Sequence, residues 1–373
     1  MMQKKFGTLF LSLAFAVLSH AQGSLVNTGQ SPFAVMQTMG INNVSWTSGF
    51  WKERFSVCRD IMFPQLWQTY TSDTICYAFK NFKVAAGIEP GRFRGPSFHD
   101  GDFYKTLEAS AALYASSRDP KIDRLMDDAI AVIAKAQRPD GYVYTKNIIE
   151  EKQSGKSMVF DDVLSFEAYN FGHLMTAACI HNRATGKKNL LDIAVKAADF
   201  LIGFYAKASA AQARNAICPS HYMGLTELYR TTGEKKYLNL ADYLITIRGT
   251  VEGTDDNSDR APFREMKKVA GHAVRANYLF AGAADVYADP ALCYGQASGH
   301  LQVLPYGGTP NEGDSYGILW SDNSTELDRT NVTPGIYSVT VTDANGCSFT
   351  SDEKIVYDPA PIALVISATN VLC

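Results

Sequence analysis

Several things are missing from this sequence, and each absence narrows what it can be. No run of 18 or more apolar residues occurs, so no helix is long and apolar enough to cross a bilayer. Neither sign of charge dominates: 35 Lys and Arg stand against 38 Asp and Glu, a net of −3, which removes the electrostatic case for nucleic acid or an anionic membrane. There is no GxSxG, no HExxH and no phosphate-cradling glycine loop. No CxxC spacing appears among the seven cysteines, so Cys58, Cys76, Cys179 and Cys218 read as buried small hydrophobes rather than metal ligands. Their odd total leaves at least one thiol without a partner in this chain.

What is present starts with a leader. Lys4 and Lys5, the apolar stretch 6–18 and the small residues Ser19 and Ala21 predict a secretory signal over residues 1–21, cleaved before Gln22. No cysteine follows that cleavage site, which argues against a lipid anchor, and the mature protein is expected to be exported. At 373 residues and 46% hydrophobic, the rest is long enough for two globular domains with sizeable cores.

The two parts differ in period. Residues 22–290 are helical in pattern: Ile122, Leu125, Met126, Ala129, Ile130, Ile133 and Ala136 follow i, i+3, i+4, i+7 spacing. Leu190, Leu191, Ala194, Ala198, Leu201, Ile202 and Tyr205 do so again, as do Tyr237, Leu238, Ala241, Leu244 and Ile245. Similar turns precede these helices, at Ser117–Lys121, Ala184–Lys188 and Thr232–Lys236, each supplying Pro or Gly where one helix ends and the next begins. Upstream partner helices ending near Tyr114, Arg183 and Arg230 make three αα-hairpins in series. With one helix near 53–70 and one near 267–288, roughly eight helices result. The expected fold is mainly α, an incomplete (α/α)6 toroid that stops before its ring is closed.

Residues 291–373 hold nine carboxylates against Arg329 and Lys354, a net of −7. Gly335–Thr342 alternates apolar and polar residues, Asp343–Gly346 supplies a turn, and 348–357 can return as a strand. A small Ig-like β-sandwich module is expected.

Polar motifs gather at the starts of the inner helices. Asp100 and Asp102 flank one such start, where helix capping competes with binding of substrate hydroxyls. Phe166-Glu167-Ala168-Tyr169 opens another, and His173 in it reads as a satisfied core residue rather than a ligand. His221 and His272 begin successive inner helices and are expected to face one polar cavity, with Asp102, Tyr169 and Glu265 nearby. Imidazoles both donate and accept hydrogen bonds, as hydroxyl recognition requires; the plain alternative is a pair of capping histidines. The 255–259 stretch lacks the turn Gly and bidentate Glu of a calcium loop.

These motifs resemble glycoside hydrolase family 127, the β-L-arabinofuranosidases, over about residues 44–288. The stretches that carry the resemblance are Phe50-Trp51, Asp102–Ala109, Ala136–Tyr142, Gly172-His173-Leu174, Ala184–Lys187, Pro262–Glu265 and, most specific, Gly271–Ala276. The resemblance implies an (α/α)6 barrel, retention of configuration and action on terminal arabinofuranose of an oligo- or polysaccharide. It also implies a zinc-bound cysteine nucleophile and an acid/base glutamate, carried on Glu-x-Cys and Cys-Cys motifs that occur nowhere in these 373 residues. The catalytic residues are therefore unknown, with Glu167 and Glu265 left as candidates for one role, and no cofactor is expected in this chain. Phe166 stands where the family carries a histidine.

Cys293-Tyr294-Gly295, Trp320-Ser321, Gly335–Asp343 and Asn345-Gly346-Cys347 resemble one SprB-type repeat of bacterial surface adhesins. That resemblance implies cell-surface association, and the positions of Cys293 and Cys347 in one exported repeat lead to an expected disulfide between them, with Cys373 unpaired. Two functions are expected on these grounds: a secreted arabinofuranosidase-type hydrolase inactive as this chain, or a non-catalytic glycan-binding surface protein.

Overall fold

A computed structural model describes residues 24–27, 38–162, 165–213, 218–248, 253, 258, 260–288, 299–303, 305, 307–313, 315–333, 335–351 and 354–356. Residues 1–21, where a leader is expected, Cys293 and Cys373 lie outside these, so the expected cleavage and the expected Cys293–Cys347 disulfide concern residues not described; Cys347 itself is exposed.

The helical part runs α1 (Gly49–Val57), α2 (Phe63–Thr71), α3 (Ala78–Ala85), α4 (His99–Ser117), α5 (Pro120–Ala136), α6 (Thr145–Ser154), α7 (Glu167–Thr185), α8 (Asn189–Tyr205), α9 (Ala210–Ala213), α10 (His221–Thr232), α11 (Lys235–Thr246) and α12 (Ala273–Ala288). The three hairpins are α4/α5, α7/α8 and α10/α11, with turns where the sequence places them. Asp119 caps α5, accepting the Lys121 backbone N–H at 2.8 Å, and Pro120 occupies the first turn, where a missing N–H costs nothing. Gly186 and Gly233 end α7 and α10 at φ 77° and 78°, left-handed backbone that glycine adopts without a Cβ clash.

Two rows of helices result. In the inner row α4 packs on α7, α7 on α10 and α10 on α12; in the outer row α5 meets α8 and α8 meets α11. Each outer helix turns its apolar stripe inward, burying residues such as Met126 and Ile133, Leu190 and Leu201, Tyr237 and Leu244. Full burial of each such side chain stabilises by roughly 1.5–3 kcal/mol. This is the order of helices that part of an α/α toroid requires. At one end of the inner row Arg183, Glu227, Arg230 and Asp285 form a mostly buried chain of ion pairs joining α7, α10 and α12.

Several expectations need correction. The helix read at 53–70 starts at Gly49 and contains a π-turn over Cys58–Met62. It buries none of its residues, and Cys58 is exposed rather than buried. The helix read at 267–288 starts only at Ala273, after Gly271 at φ 107°. Helices α3 and α6 were not expected at all.

The change to strands falls between Ala288 and Gly299. The strands are β1 (Gly299–Gln302), β2 (Gly317–Trp320), β3 (Asp328–Val332), β4 (Gly335–Tyr337), β5 (Val339–Thr342), β6 (Ser348–Thr350) and β7 (Lys354–Val356). Their antiparallel pairing gives three small sheets, β1-β3, β2-β5-β6 and β4-β7. The expected strand 335–342 is split at Ser338, whose backbone exchanges hydrogen bonds with Ser321, so its halves join different sheets. Ile318, Trp320, Val332, Tyr337 and Val339 form one core, beside which the Arg329 guanidinium lies 5.2 Å from the Trp320 ring. These five residues come from strands of all three sheets, which share this one small core.

Candidate functional site

The N-terminal turns of α4, α7 and α10 meet at one end of the inner row. Backbone contacts set their relative positions. Asn170 accepts the Gly101 N–H at 2.6 Å and donates to the Ser97 carbonyl at 3.0 Å, tying α7 to the start of α4. Ser220 donates to the Tyr169 carbonyl at 2.9 Å, tying α10 to α7. Gly172 and Gly224 allow α7 and α10 to touch backbone to backbone.

This assembly brings Asp102, Lys105, Tyr169, His173 and Tyr278 together. Lys105 is ion-paired with Asp102 at 2.9 Å, donates to the Tyr169 hydroxyl and lies 5.0 Å from the centre of the Tyr169 ring. Tyr169 and His173 stand four residues apart on one face of α7, their rings 4.5 Å apart and edge to face. The His173 Nε2 is hydrogen-bonded to the Tyr278 hydroxyl at 3.1 Å. Burial, helped by the Lys105 charge, pushes the His173 imidazole down to about 3, so it is neutral near pH 7, with one nitrogen donating and one accepting. Burial and the Asp102 carboxylate hold the Tyr169 phenol protonated. Phe166 packs on Phe98 at 5.3 Å and Tyr169 at 5.7 Å between ring centres.

From this cluster a cavity of about 400 Å³ runs between α4, α7 and α10, lined by residues that include Lys105, Glu108, His173, Thr176, Ser220 and Met223. Its size is at the lower end for small-molecule pockets, which span roughly 300–1,000 Å³. Glu108 receives a hydrogen bond from Thr176 at 3.2 Å, and burial raises its carboxyl above the usual range.

Of the residues expected at a site, Asp102 and Tyr169 are brought together here. His221 is fully buried beside Tyr222, and burial with the Arg248 charge pushes it down to about 3. Neither of its ring nitrogens has a hydrogen-bond partner among the described residues. His272 is exposed, its Nδ1 accepting the Val274 N–H at 3.3 Å, which is capping geometry. Glu265 is exposed in the short turn Phe263–Glu265. None of these three lines the cavity.

Two carboxylates are structural. Asp100 accepts the Thr145 N–H at 2.7 Å and its hydroxyl at 2.6 Å, so it joins α4 to α6 instead of capping α4 or facing a ligand. Glu167 is completely buried, accepting from the Tyr142 hydroxyl, the Ser165 hydroxyl at 2.8 Å and the Phe160 N–H at 2.8 Å. Lys105, Glu108, Thr176 and Tyr278 were missed. Asp102, Lys105 and Glu108 repeat every three residues on one helix face, a row visible in the sequence once α4 is recognised as an inner helix.

A zinc site of the kind the resemblance implies does not fit the residues present. No three His, Cys, Asp or Glu side chains are placed to share an ion among the described residues, and the thiols at Cys76 and Cys179 are raised by burial, Cys179 to about 12.

Hairpins in two rows with a pocket at the inner helix starts define an α/α scaffold of the glycoside hydrolase kind, and comparison with known proteins agrees. Residues 43–291 match the family described as Beta-L-arabinofuranosidase, GH127 catalytic domain, and the chain belongs to that family. It is 31% identical over 283 residues to a non-reducing end beta-L-arabinofuranosidase of Bifidobacterium longum subsp. longum, covering 65% of this chain and 43% of that protein. Among solved structures, a glycoside hydrolase 40% identical matches 83% of this chain and 46% of its own, with a TM-score of 0.56. A GH127 β-L-arabinofuranosidase from Geobacillus stearothermophilus T6 is 28% identical, covering 73% and 48%, with a TM-score of 0.57. The chain spans less than half the length of each of these relatives.

Proposed function

We propose that this chain carries the sugar-recognising part of a β-L-arabinofuranosidase site: it binds the terminal arabinofuranosyl residue of a glycan and does not by itself break the glycosidic bond. The observation that carries the reading is the cavity lined by Lys105, Glu108, His173, Thr176 and Ser220, inside the segment that matches the family's catalytic domain; Lys105 and His173 join it to Asp102, Tyr169 and Tyr278. Aromatic faces suit the C–H side of a furanose ring, and a neutral imidazole with a lysine–aspartate pair suits its hydroxyls.

Hydrolysis with retention needs a nucleophile and an acid/base group on opposite sides of the anomeric carbon. Among the described residues the cavity is lined by one carboxylate, Glu108. The buried thiols Cys76 and Cys179 carry raised pKa values, opposite to what a thiolate nucleophile requires. On the same reading the apolar stretch 6–18 directs export, and the acidic β module serves attachment at the cell surface.

Isothermal titration of the purified chain with methyl β-L-arabinofuranoside tests the binding. Saturable binding is expected, weakened at least tenfold in His173→Ala and Asp102→Ala with the melting temperature held within a few degrees. A wild-type chain that gives no heat with the furanoside would contradict it.

A further inference from the structure

The cavity has two ends, and they are built differently. One end is at the helix starts, beside Lys105, His173 and Ser220. Its other end lies about 10 Å further along the inner helices, the span of Lys105 to Ala112 at ~1.5 Å per residue. There it is lined by Ala112, Ile180 and Leu25.

Leu25 comes from the N-terminal strand of chain, far from these helices in sequence, and it is held there. Its carbonyl accepts a hydrogen bond from Arg183 Nη1 at 2.8 Å, one turn beyond Ile180 on α7. Asn27 donates to the Arg230 carbonyl on α10 at 3.1 Å. Arg183 and Arg230 are the two ends of the Glu227 ion pairs that join α7 to α10, and both are mostly buried. The Leu25 side chain packs against the helical core. Leu25 thus lies at this end of the cavity, and the chain around it is fastened to the mostly buried ionic cluster of α7 and α10.

We infer that residues 24–27 are the floor of the cavity and make it a blind pocket, so that Leu25 sets its depth and restricts it to one terminal sugar residue. The inference rests on the reading of this cavity as the furanose site. A groove open at both ends would let a glycan chain run through and would not distinguish terminal from internal units. A groove stopped by an aliphatic side chain accepts a ring from the mouth and gives its next unit nowhere to go but out. The floor is apolar, so it satisfies no hydroxyl and excludes a further sugar by chemistry as well as by shape.

Titration of the full chain with methyl β-L-arabinofuranoside and with a β-L-arabinofuranosyl trisaccharide tests this in three forms of Leu25. Leu25→Trp, which raises the floor, is expected to weaken the monosaccharide glycoside at least tenfold. Leu25→Ala, which lowers it, is expected to keep the monosaccharide within threefold of wild type. It should also raise the affinity for the trisaccharide, relative to the monosaccharide, at least fivefold. Melting curves establish that each form is folded, and the two substitutions act in opposite directions, so loss of fold cannot imitate the pair. If wild type binds the glycoside but Leu25→Trp binds it equally well, or the trisaccharide preference of Leu25→Ala equals that of wild type, the floor is not at Leu25 and the inference falls while the sugar site stands. If wild type binds neither probe, the reading of the site fails and the inference goes with it.

Discussion

Gly172→Ala is expected to lower stability by about 3 kcal/mol, at the top of the usual range for overpacking, and the melting temperature by about 10 °C. A Cβ on Gly172 would fall on the Ser220 side chain and carbonyl carbon and 2.5 Å from the His221 backbone nitrogen. Two of these are backbone atoms at the start of α10, and they move only if α10 moves. The same contact region holds Gly224, whose Cβ would come 2.6 Å from the Gly172 carbonyl oxygen. Alanine elsewhere in a helix gains roughly 0.5–1 kcal/mol over glycine, so Gly203→Ala on α8, where a Cβ meets nothing within 4 Å, is the control and is expected to stabilise. Opposite signs from one chemical change would locate the effect in the α7–α10 approach. Because Ser220 also positions the Tyr169 carbonyl, Gly172→Ala should weaken furanoside binding as well. Thermal melting of both variants checks the pair, and equal effects would refute the argument.

Glu167→Gln is expected to change stability in a pH-dependent way. Burial raises the Glu167 carboxyl from 4.5 to about 7, against the opposing hydrogen bonds from Tyr142, Ser165 and Phe160. A folded-state pKa above the unfolded one means that the folded form binds the extra proton. The stability this brings is fully present below about pH 4.5 and is lost as pH rises through about 7. Glutamine carries no proton equilibrium, so its cost from mismatched donors is the same at every pH. Relative to wild type, the variant should therefore gain about 3 kcal/mol between pH 4 and pH 8, taking 1.36 kcal/mol per pKa unit. His173 and His221, pushed the other way by burial, favour the folded state as pH rises, but they are common to both proteins and cancel in the difference. Urea unfolding at the two pH values measures it; a constant difference would show that Glu167 is not desolvated.

The hairpins were legible because their signals are local and redundant. A Pro or Gly turn, a 3.6-residue stripe and a partner helix of matching length occur three times. Helices α3 and α6 were hidden for physical reasons. Helix α3 is only eight residues long, so its Ala78, Phe82 and Ala85 make little more than two turns of stripe. Helix α6 offers only Ile148 and Ile149 as an apolar pair within a polar run, so tertiary contact rather than periodicity makes it helical. The alternation over 335–342 was read correctly as extended backbone, but nothing in a period-2 pattern announces that Ser338 divides it between two sheets. At the candidate site, Asp102 and Tyr169 come together because both lie near helix starts, where the sequence gathers its polar motifs. Lys105, Glu108 and Tyr278 were not legible there, because their meeting depends on which faces of α4, α7 and α12 turn toward one another. His173 shows the limit from the other side: it is a satisfied buried histidine and a cavity wall at once, and the sequence offers no means of seeing both. His221 and His272 both stand at the start of an inner helix yet differ completely in burial, which is decided by what covers each helix start.

Release of arabinose from an aryl β-L-arabinofuranoside, with zinc in the buffer and the purified chain at concentrations that saturate with the glycoside, tests the central claim most directly. The account predicts that the glycoside binds and that arabinose appears no faster than in buffer alone, since the residues lining the cavity supply one carboxylate and no activated thiol. Turnover comparable to that of a full-length family member, abolished by a substitution inside these 373 residues, would contradict it.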